Sequence, residues 1–134
     1  MKLKFCVDEN LSRVVAQCLH QLLSAHKVDH VNDLHLTGVE DAVLFGDLAD
    51  RGFNAVITRD RRQLVNVKER DALRESGLVW IGLPVSALPG LAGFAADVAT
   101  IAAVLPGILA AWPVTPTAYT LHRATSKAPN VEQL

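Results

Sequence analysis

Short apolar runs alternate with amphipathic stretches along most of this chain. Five runs have the length and the β-branched or aromatic content of strands, at residues 3–7, 27–31, 53–58, 78–81 and 119–123. Between the first four, apolar residues recur at three- and four-residue steps, which predicts helices at residues 12–25, 40–51 and 68–76. Strands that alternate with helices favour a parallel sheet covered on both faces. The pattern therefore predicts an α/β fold.

Capping residues indicate where these helices begin and end. Ser12 is placed to cap the first helix through its hydroxyl. Gly52 and Gly77 follow the second and third helices, in the position where glycine commonly ends a helix. Residues 32–38 lack a helical or strand pattern and are predicted to form a loop.

A long Ala-rich run at residues 88–112 contains Asp97 as its only charged residue. Its length would allow it to cross a membrane. The Pro106-Gly107 pair, the central Asp97 and the modest hydropathy of alanine argue against a membrane span. We therefore expect either a buried helix or a self-association surface, interrupted at Pro106.

Composition limits the class of protein. The chain has 134 residues, of which 50% are apolar and 20% are charged, and these are ordinary values for a soluble globular protein. Its length fits one domain, predicted at residues 1–125, followed by a polar C-terminal tail at residues 126–134. A net charge of −1 gives no general affinity for nucleic acid, so RNA binding would require a local basic cluster.

One basic cluster lies between residues 59 and 74. Its members are Arg59, Arg61, Arg62, Lys68, Arg70 and Arg74. The acids Glu69, Asp71 and Glu75 are interspersed with them, so a solvated helix face of mixed charge remains an alternative to a phosphate-binding surface.

The cysteines and the N-terminus bear on the location of the protein. Cys6 and Cys18 show no metal-ligand spacing, and we expect both to be reduced. The first apolar run is too short for a signal peptide, because Asp8 and Glu9 follow it directly. These features predict a cytoplasmic protein.

Carboxylates follow two of the predicted strands and begin one predicted helix. Asp8 and Glu9 come after the first strand, Asp60 comes after the third, and Glu40-Asp41 starts the second helix. In open α/β sheets functional groups gather outside the carboxyl ends of the strands, so we expect these acids to converge. Hard divalent cations such as Mg²⁺ prefer oxygen ligands of this kind. Taken singly, each acid is equally well explained as a helix cap or as a charge that complements a helix dipole.

A metal-nuclease hypothesis gives the acids specific roles. Asp8, Asp41 and Asp60 hold one or two Mg²⁺ or Mn²⁺ ions, which activate a water and stabilise an in-line phosphodiester displacement. Glu9 or Glu40 supplies a further ligand or positions the water. The candidates for substrate binding are Asn10, Thr58, Arg59 and Arg62, of which the arginines suit phosphate oxygens.

Three stretches taken together resemble the PIN-like domains, and especially the short form related to VapC-type toxins of bacterial toxin-antitoxin modules. They are residues 4–12 (KFCVDENLS), the Glu40-Asp41 pair, and residues 56–62 (VITRDRR). Looser similarity at residues 69–78 and 105–108 extends the resemblance over nearly the whole chain.

This resemblance implies a three-layer α/β/α sandwich with a central, mostly parallel sheet. It also implies Mg²⁺-dependent endoribonuclease activity, inhibition by a cognate antitoxin protein, and a homodimer. Asp8 matches the first acid of the family, Asp41 the acid at the helix start, and Asp60 the acid after the Thr-containing strand. Larger PIN domains carry another helical acid in a segment that is missing here between residues 32 and 38, and Glu9 or Glu40 would have to compensate.

Two other functions compete with the nuclease hypothesis. The first is a non-catalytic PIN-like module that binds a protein partner through residues 88–112. The second is a phosphoacceptor receiver, which also has acids at strand ends. A receiver needs a Thr or Ser and a Lys at the ends of later strands, and residues 81–84 (IGLP) supply neither, so the receiver is disfavoured.

Overall fold

The computed structural model describes residues 1–124 and 128–133 of the chain. The strands within these residues are β1 (Lys4–Val7), β2 (Lys27–His30), β3 (Ala55–Thr58), β4 (Val79–Gly82) and β5 (Ala118–Thr120). The helices are α1 (Arg13–Leu22), α2 (Asp41–Asp50), α3 (Arg62–Val65), α4 (Val67–Ser76) and α5 (Gly90–Ala110), with a 3₁₀ turn at Val31–Leu34. At least one helix separates each strand from the next.

All the strands of the described residues pair in one parallel sheet with the order β2-β1-β3-β4-β5. Val7 of β1 lies opposite Ile57 of β3, and Ile57 lies opposite Ile81 of β4. The carboxyl ends of the three central strands therefore meet at one edge of the sheet. This arrangement confirms the predicted α/β fold with a parallel sheet.

Side chains of the central strands alternate between two apolar layers. One layer buries Phe5 of β1 together with Val15 of α1 and Ile101 of α5. The other layer buries the adjacent Cys6 of β1 together with Phe45 of α2. Helices thus cover both faces of the sheet and produce a three-layer α/β/α sandwich.

The helix α5 continues through Pro106, so the predicted interruption at this residue is wrong. A proline inside a helix removes one N–H donor and crowds the preceding turn. Here the loss falls near the end of a long helix, and the buried residues Leu105 and Ile108 anchor the chain on either side of it. Packing against the sheet therefore overrides the local preference of proline.

Of the helices in the described residues, α5 alone is long and apolar enough to cross a membrane by length and composition. Its residues Ile101 and Leu105 belong to the core of the sandwich. Its only charge, Asp97, is paired with Arg59 from the end of β3. One side of the helix is thus part of the protein core, in agreement with the preference for a packed helix over a membrane span.

Several boundaries differ from the sequence predictions. The 3₁₀ turn and α3 were predicted as loops, because four-residue elements are too short to show a helical period. The strand β5 begins one residue before the predicted run 119–123 and ends earlier. Of the predicted domain end and polar tail, residues 125–127 and 134 lie outside the described residues, and residues 128–133 contain neither helix nor strand. The division at residue 125 stays a prediction.

Candidate functional site

The sheet brings Asp8 and Thr58 side by side at its carboxyl edge. Asp8 follows β1 directly, and its backbone N–H donates to the Ile57 carbonyl across the strands, over 2.9 Å. Alternation along the strands places Asp8 on the same face as Cys6, and Thr58 on the same face as Val56. Both side chains are buried, with Asp8 only 3% exposed. The sequence pattern that ends each strand thus delivers a carboxylate and a hydroxyl to one place.

Both oxygens of the buried Asp8 carboxylate accept hydrogen bonds. Its Oδ1 accepts from the Glu9 backbone N–H at 2.8 Å. Its Oδ2 accepts from Thr58 Oγ1 at 2.9 Å and from Gln63 Nε2 at 3.1 Å. A buried carboxylate without such donors would be strongly unfavourable, so these three contacts are what allow Asp8 to stay in the protein interior.

Gln63 connects Asp8 to Asp41. It lies in the short helix α3, is completely buried, and donates from Nε2 to Asp41 Oδ2 at 3.0 Å as well as to Asp8. Asp41 is the first residue of α2, where the helix dipole favours a negative charge. One amide group therefore bridges two carboxylates that come from different elements of the fold.

Burial raises the pKa of Asp41 above its ordinary value, and the charges of Asp8, Asp60 and Glu9 raise it further. The hydrogen bond from Gln63 acts in the opposite direction and favours the ionised form. Three other carboxylates are therefore close enough to Asp41 to disfavour its charge. This repulsion is expected where several acids lie close together.

Trp80 of β4 holds the other end of the Gln63 amide. Its indole Nε1–H donates to Gln63 Oε1 at 3.0 Å, and the indole is completely buried. Gly82 makes room for the ring, because a Cβ at this position would lie 2.0 Å from Trp80 Cη2. We refer to Asp8, Asp41, Thr58, Gln63 and Trp80 as the Gln63 network.

Asp60 stands beside this network with a different partner. Its backbone N–H donates to Thr58 Oγ1 at 3.1 Å. Its two carboxylate oxygens accept from Arg62 Nε at 2.9 Å and from Arg62 Nη2 at 3.0 Å. These bonds lower the pKa of Asp60 below its ordinary value, against the opposing effect of burial. The Arg62 side chain is 84% exposed, so the guanidinium faces solvent at the border of the site.

Asn10 and Arg59 brace the same edge. Asn10 donates from Nδ2 to Thr58 Oγ1 at 3.1 Å and accepts the Arg59 backbone N–H at 3.0 Å. The Arg59 side chain turns away, donating to the Pro84 carbonyl at 2.7 Å and to Asp97 at 2.5 Å. Because the Arg59 guanidinium already has partners within the chain, a phosphate contact by this residue stays a prediction.

The acids Glu9 and Glu40 point elsewhere. Glu9 accepts the Gly38 backbone N–H at 3.1 Å, which fastens the loop before α2. Glu40 pairs with Lys68 at 2.7 Å, and both side chains are largely exposed. Among the described residues, the side-chain carboxylates of these two acids therefore lie around the site, bonded to Gly38 and Lys68, and Glu9 contacts Asp8 only through its backbone N–H.

The sequence analysis did not identify Gln63, Glu69 or Trp80 as residues of the site, and Trp80 was predicted only as part of a strand. Gln63 lay in a predicted loop, and nothing in its sequence context distinguishes it from a surface glutamine. Glu69 was interpreted as one of the acids that dilute the basic cluster. Burial, followed by the charges of Asp41 and Asp60, raises the pKa of Glu69. This partly buried carboxylate of α4 therefore lies near Asp41 and Asp60.

The donor chemistry suits a hard divalent cation. Asp8 and Asp41 each direct one oxygen at a single position, which Gln63 Nε2 fills. Two carboxylate oxygens facing one point are the donors that Mg²⁺ or Mn²⁺ prefers. Among residues 1–124 and 128–133, no group of three or more His, Cys, Asp or Glu side chains is assembled to hold a metal ion. Asp8 and Asp41 are therefore the residues whose arrangement suits a divalent cation, while the Asp60 carboxylate is paired with Arg62.

A sequence model of the family described as "PIN like domain" matches residues 3–84, which is more than half of the 134-residue chain. The matched segment contains β1 to β4 and all five members of the Gln63 network. No curated protein and no solved structure has a significant match to this chain.

Proposed function

This chain belongs to the PIN-like domain family, and from that premise we propose that it is a metal-dependent nuclease that cleaves RNA. The observation that carries the proposal is the convergence of Asp8 and Asp41 on one position at the carboxyl edge of the sheet. Ligand and catalytic sites of open α/β sheets lie at this edge. A pair of carboxylates from two separate elements is hard to explain by helix capping alone.

In this proposal Asp8 and Asp41 bind Mg²⁺ or Mn²⁺, with Asp60 and Glu69 at the border of the site. Such an ion, when bound, lowers the pKa of a water and stabilises the charge of a phosphodiester displacement. Thr58 keeps Asp8 oriented through its hydroxyl. The exposed guanidinium of Arg62 is the group best placed to meet a phosphate oxygen, in exchange for its present partner Asp60.

The test is cleavage of a structured RNA by the purified protein with Mg²⁺ or Mn²⁺, and with EDTA as the metal-free control. Asp8→Asn keeps the size of the side chain and removes its charge, so it should abolish cleavage while the circular dichroism spectrum stays unchanged. Asp50→Asn is the matched control, because Asp50 is exposed at the opposite end of α2. Equal cleavage by wild type and Asp8→Asn would exclude the nuclease assignment.

The resemblance to short PIN-like toxins extends the proposal to biology. The protein would act as the toxin of a toxin-antitoxin module in the bacterial cytoplasm, as a homodimer held inactive by a cognate antitoxin protein. Induced expression should then arrest growth, and Asp8→Asn should relieve the arrest. Growth arrest that persists in this variant would argue for a different cause of toxicity.

A second candidate function is a non-catalytic PIN-like module that binds a protein partner. The observation in its favour is that all three aspartates already have partners within the chain. Gln63 bridges Asp8 and Asp41, and Arg62 neutralises Asp60. This function predicts no cleavage with any divalent metal and no loss of partner binding in Asp8→Asn. The same RNA assay therefore separates the two functions.

A further inference from the structure

The orientation of the Gln63 amide is determined by its neighbours. Nε2 faces two carboxylate oxygens, which only accept hydrogen bonds when ionised, and Oε1 faces the Trp80 indole N–H, which only donates. A flipped amide would place its oxygen against both acids and its hydrogens against the indole. The amide therefore has one satisfactory orientation, with each hydrogen of Nε2 serving one carboxylate.

This arrangement puts a neutral donor in the position where a cation would bind. Asp8 and Asp41 would repel each other if nothing lay between them, and the NH₂ group of Gln63 relieves that repulsion without a full positive charge. A divalent ion that takes both oxygens must displace Nε2. If Gln63 turned to offer Oε1 to the ion, the buried indole N–H of Trp80 would lose its acceptor.

We propose that Gln63 is a positioning residue that holds the Asp8–Asp41 pair together without metal and sets the metal affinity by competing with the incoming ion. Entry of the ion breaks the Gln63–Trp80 hydrogen bond, so the indole of Trp80 reports on occupancy. This inference rests on the proposed function, since it concerns the same two carboxylates. It adds a determinant of affinity that lies in α3 and β4, outside the set of acids.

A purely structural role for Gln63 makes a different prediction. If the amide only satisfied buried polar groups, its hydrogen bonds would stay in place when Mg²⁺ is added, and Trp80 would not respond. The competition role requires that metal binding and the Trp80 hydrogen bond exclude each other. The two roles are therefore distinguished by a spectroscopic signal that does not depend on catalysis.

The first experiment is a titration of the ¹⁵N-labelled wild-type protein with Mg²⁺, followed through the indole N–H resonances. The chain has two tryptophans, so Trp112 is an internal control, and Trp112→Phe assigns the pair. Trp112 packs edge-on against Phe5 in the other apolar layer, away from the Gln63 network. We expect the Trp80 resonance to move with saturation and the Trp112 resonance to stay.

The second experiment measures Mg²⁺ binding by calorimetry in variants of Gln63. Gln63→Glu removes both donors and adds a third carboxylate, so its Kd for Mg²⁺ should fall at least tenfold. Gln63→Met keeps the length of the side chain and removes the amide, and its Kd should fall by a smaller factor. Gln17→Glu adds the same charge on the exposed side of α1 and should leave the Kd unchanged.

The outcomes divide clearly. A moving Trp80 resonance together with Mg²⁺ binding that is tighter in both Gln63 variants than in wild type supports the inference. Binding that leaves Trp80 unmoved, or Kd values that are equal in wild type and both Gln63 variants, overturns it, as does the absence of Mg²⁺ binding in every variant. If Gln63→Glu does not fold, the wild-type titration decides alone.

The inference and the nuclease proposal can fail separately. Metal-dependent RNA cleavage with an unmoved Trp80 would overturn this inference and leave the nuclease proposal standing. A moving Trp80 without RNA cleavage would support this inference and overturn the nuclease proposal.

Discussion

Residues 3–84, here called the N-terminal region, and residues 85–124, the C-terminal region, build the same sheet in different ways. The buried polar or charged side chains of the described residues are Asp8, His30, Thr58, Gln63 and Thr100. All but Thr100 lie in the N-terminal region, and three of them belong to the Gln63 network. The C-terminal region contributes apolar residues of α5, such as Ile101 and Leu105, to the core.

This difference separates a region with a buried polar network from a region that mainly supplies apolar cover. Burying a polar group lowers stability unless its hydrogen bonds are made, whereas a buried network whose hydrogen bonds are made orders the core around it. His30 has a structural explanation, because it binds the Leu11 carbonyl and caps the 3₁₀ turn. The Gln63 network links several elements at the carboxyl edge of the sheet, where ligand sites of open α/β sheets lie, and this position agrees with the proposed function.

The largest expected effects come from one substitution in each region. On the nuclease proposal, Asp8→Asn should lower RNA cleavage at least about 100-fold in a protein that is still folded at the assay temperature, since even outer-shell partners of a metal site cost roughly 10- to 100-fold. Ile101→Ala should do the reverse, lowering the free energy of unfolding by about 2–5 kcal/mol through a core cavity, with cleavage retained below the melting temperature. Chemical denaturation and the RNA assay on both variants check the contrast. Equal losses of activity in the two variants would show that the regions do not divide in this way.

A pair of glycines tests the same contrast with a single methyl group. Gly82→Ala would place a Cβ 2.0 Å from the buried Trp80 ring, and overpacking of this kind costs about 1–3 kcal/mol. Gly107→Ala in α5 meets no atom within 4 Å, and removing a helical glycine should stabilise by roughly 0.5–1 kcal/mol. Thermal unfolding of the two variants should therefore shift in opposite directions. A stabilised Gly82→Ala protein would mean that the indole moves aside without cost.

The two regions are joined by the ion pair between Arg59 and Asp97. Both side chains are mostly buried, at 10% and 16% exposure, so the pair is shielded from solvent. A double-mutant cycle with Arg59→Ala and Asp97→Ala should give a coupling energy of about 1–3 kcal/mol. The exposed pair Arg74–Asp71 on α4 is the control and should give about 0.3–0.5 kcal/mol. Equal coupling in both pairs would remove Arg59 as a link between the regions.

The sheet and most of its helices followed from short-range patterns. A strand of four buried residues and a helix of ten residues each show their period within one window of sequence, so both types of element were predicted with small errors at their ends. Packing decided the cases where local preference was misleading. Pro106 stays inside α5 because Leu105 and Ile108 hold the helix to the sheet.

The candidate site was predictable only in part, for a physical reason. Asp8, Asp41 and Asp60 stand at element ends, where the sequence pattern itself points to them. Gln63 acquires its role from contacts with residues 17 to 55 positions away along the chain, and no local signal encodes such contacts. The partner of Arg59 likewise lies 38 positions away, at Asp97, whereas Asp60 pairs with Arg62 only two positions along the chain.

The smallest expected effect is a change in the pH dependence of stability, and it distinguishes two carboxylates of the N-terminal region, Asp60 and Asp41. The hydrogen bonds of Arg62 lower the pKa of Asp60 below 3.8, its ordinary value. A lowered pKa adds stability above the ordinary pKa, and this contribution disappears as the pH falls through the folded-state pKa. Burial raises the pKa of Asp41 above the same ordinary value of 3.8. A raised pKa adds stability below the ordinary pKa, and this contribution disappears as the pH rises through the folded-state pKa.

Opposite pH slopes should follow when each carboxylate is replaced. As the pH rises from about 3 to about 6, the melting temperature of Asp60→Asn should fall progressively further below that of wild type, because only wild type gains the Arg62 interaction. Over the same range, Asp41→Asn should gain relative to wild type, because only wild type must ionise a carboxyl that burial disfavours. Calorimetry in EDTA keeps divalent ions from masking either slope. Parallel slopes would mean that the two acids share one environment, whereas opposite slopes would place Asp41 with the buried network and Asp60 with its exposed arginine.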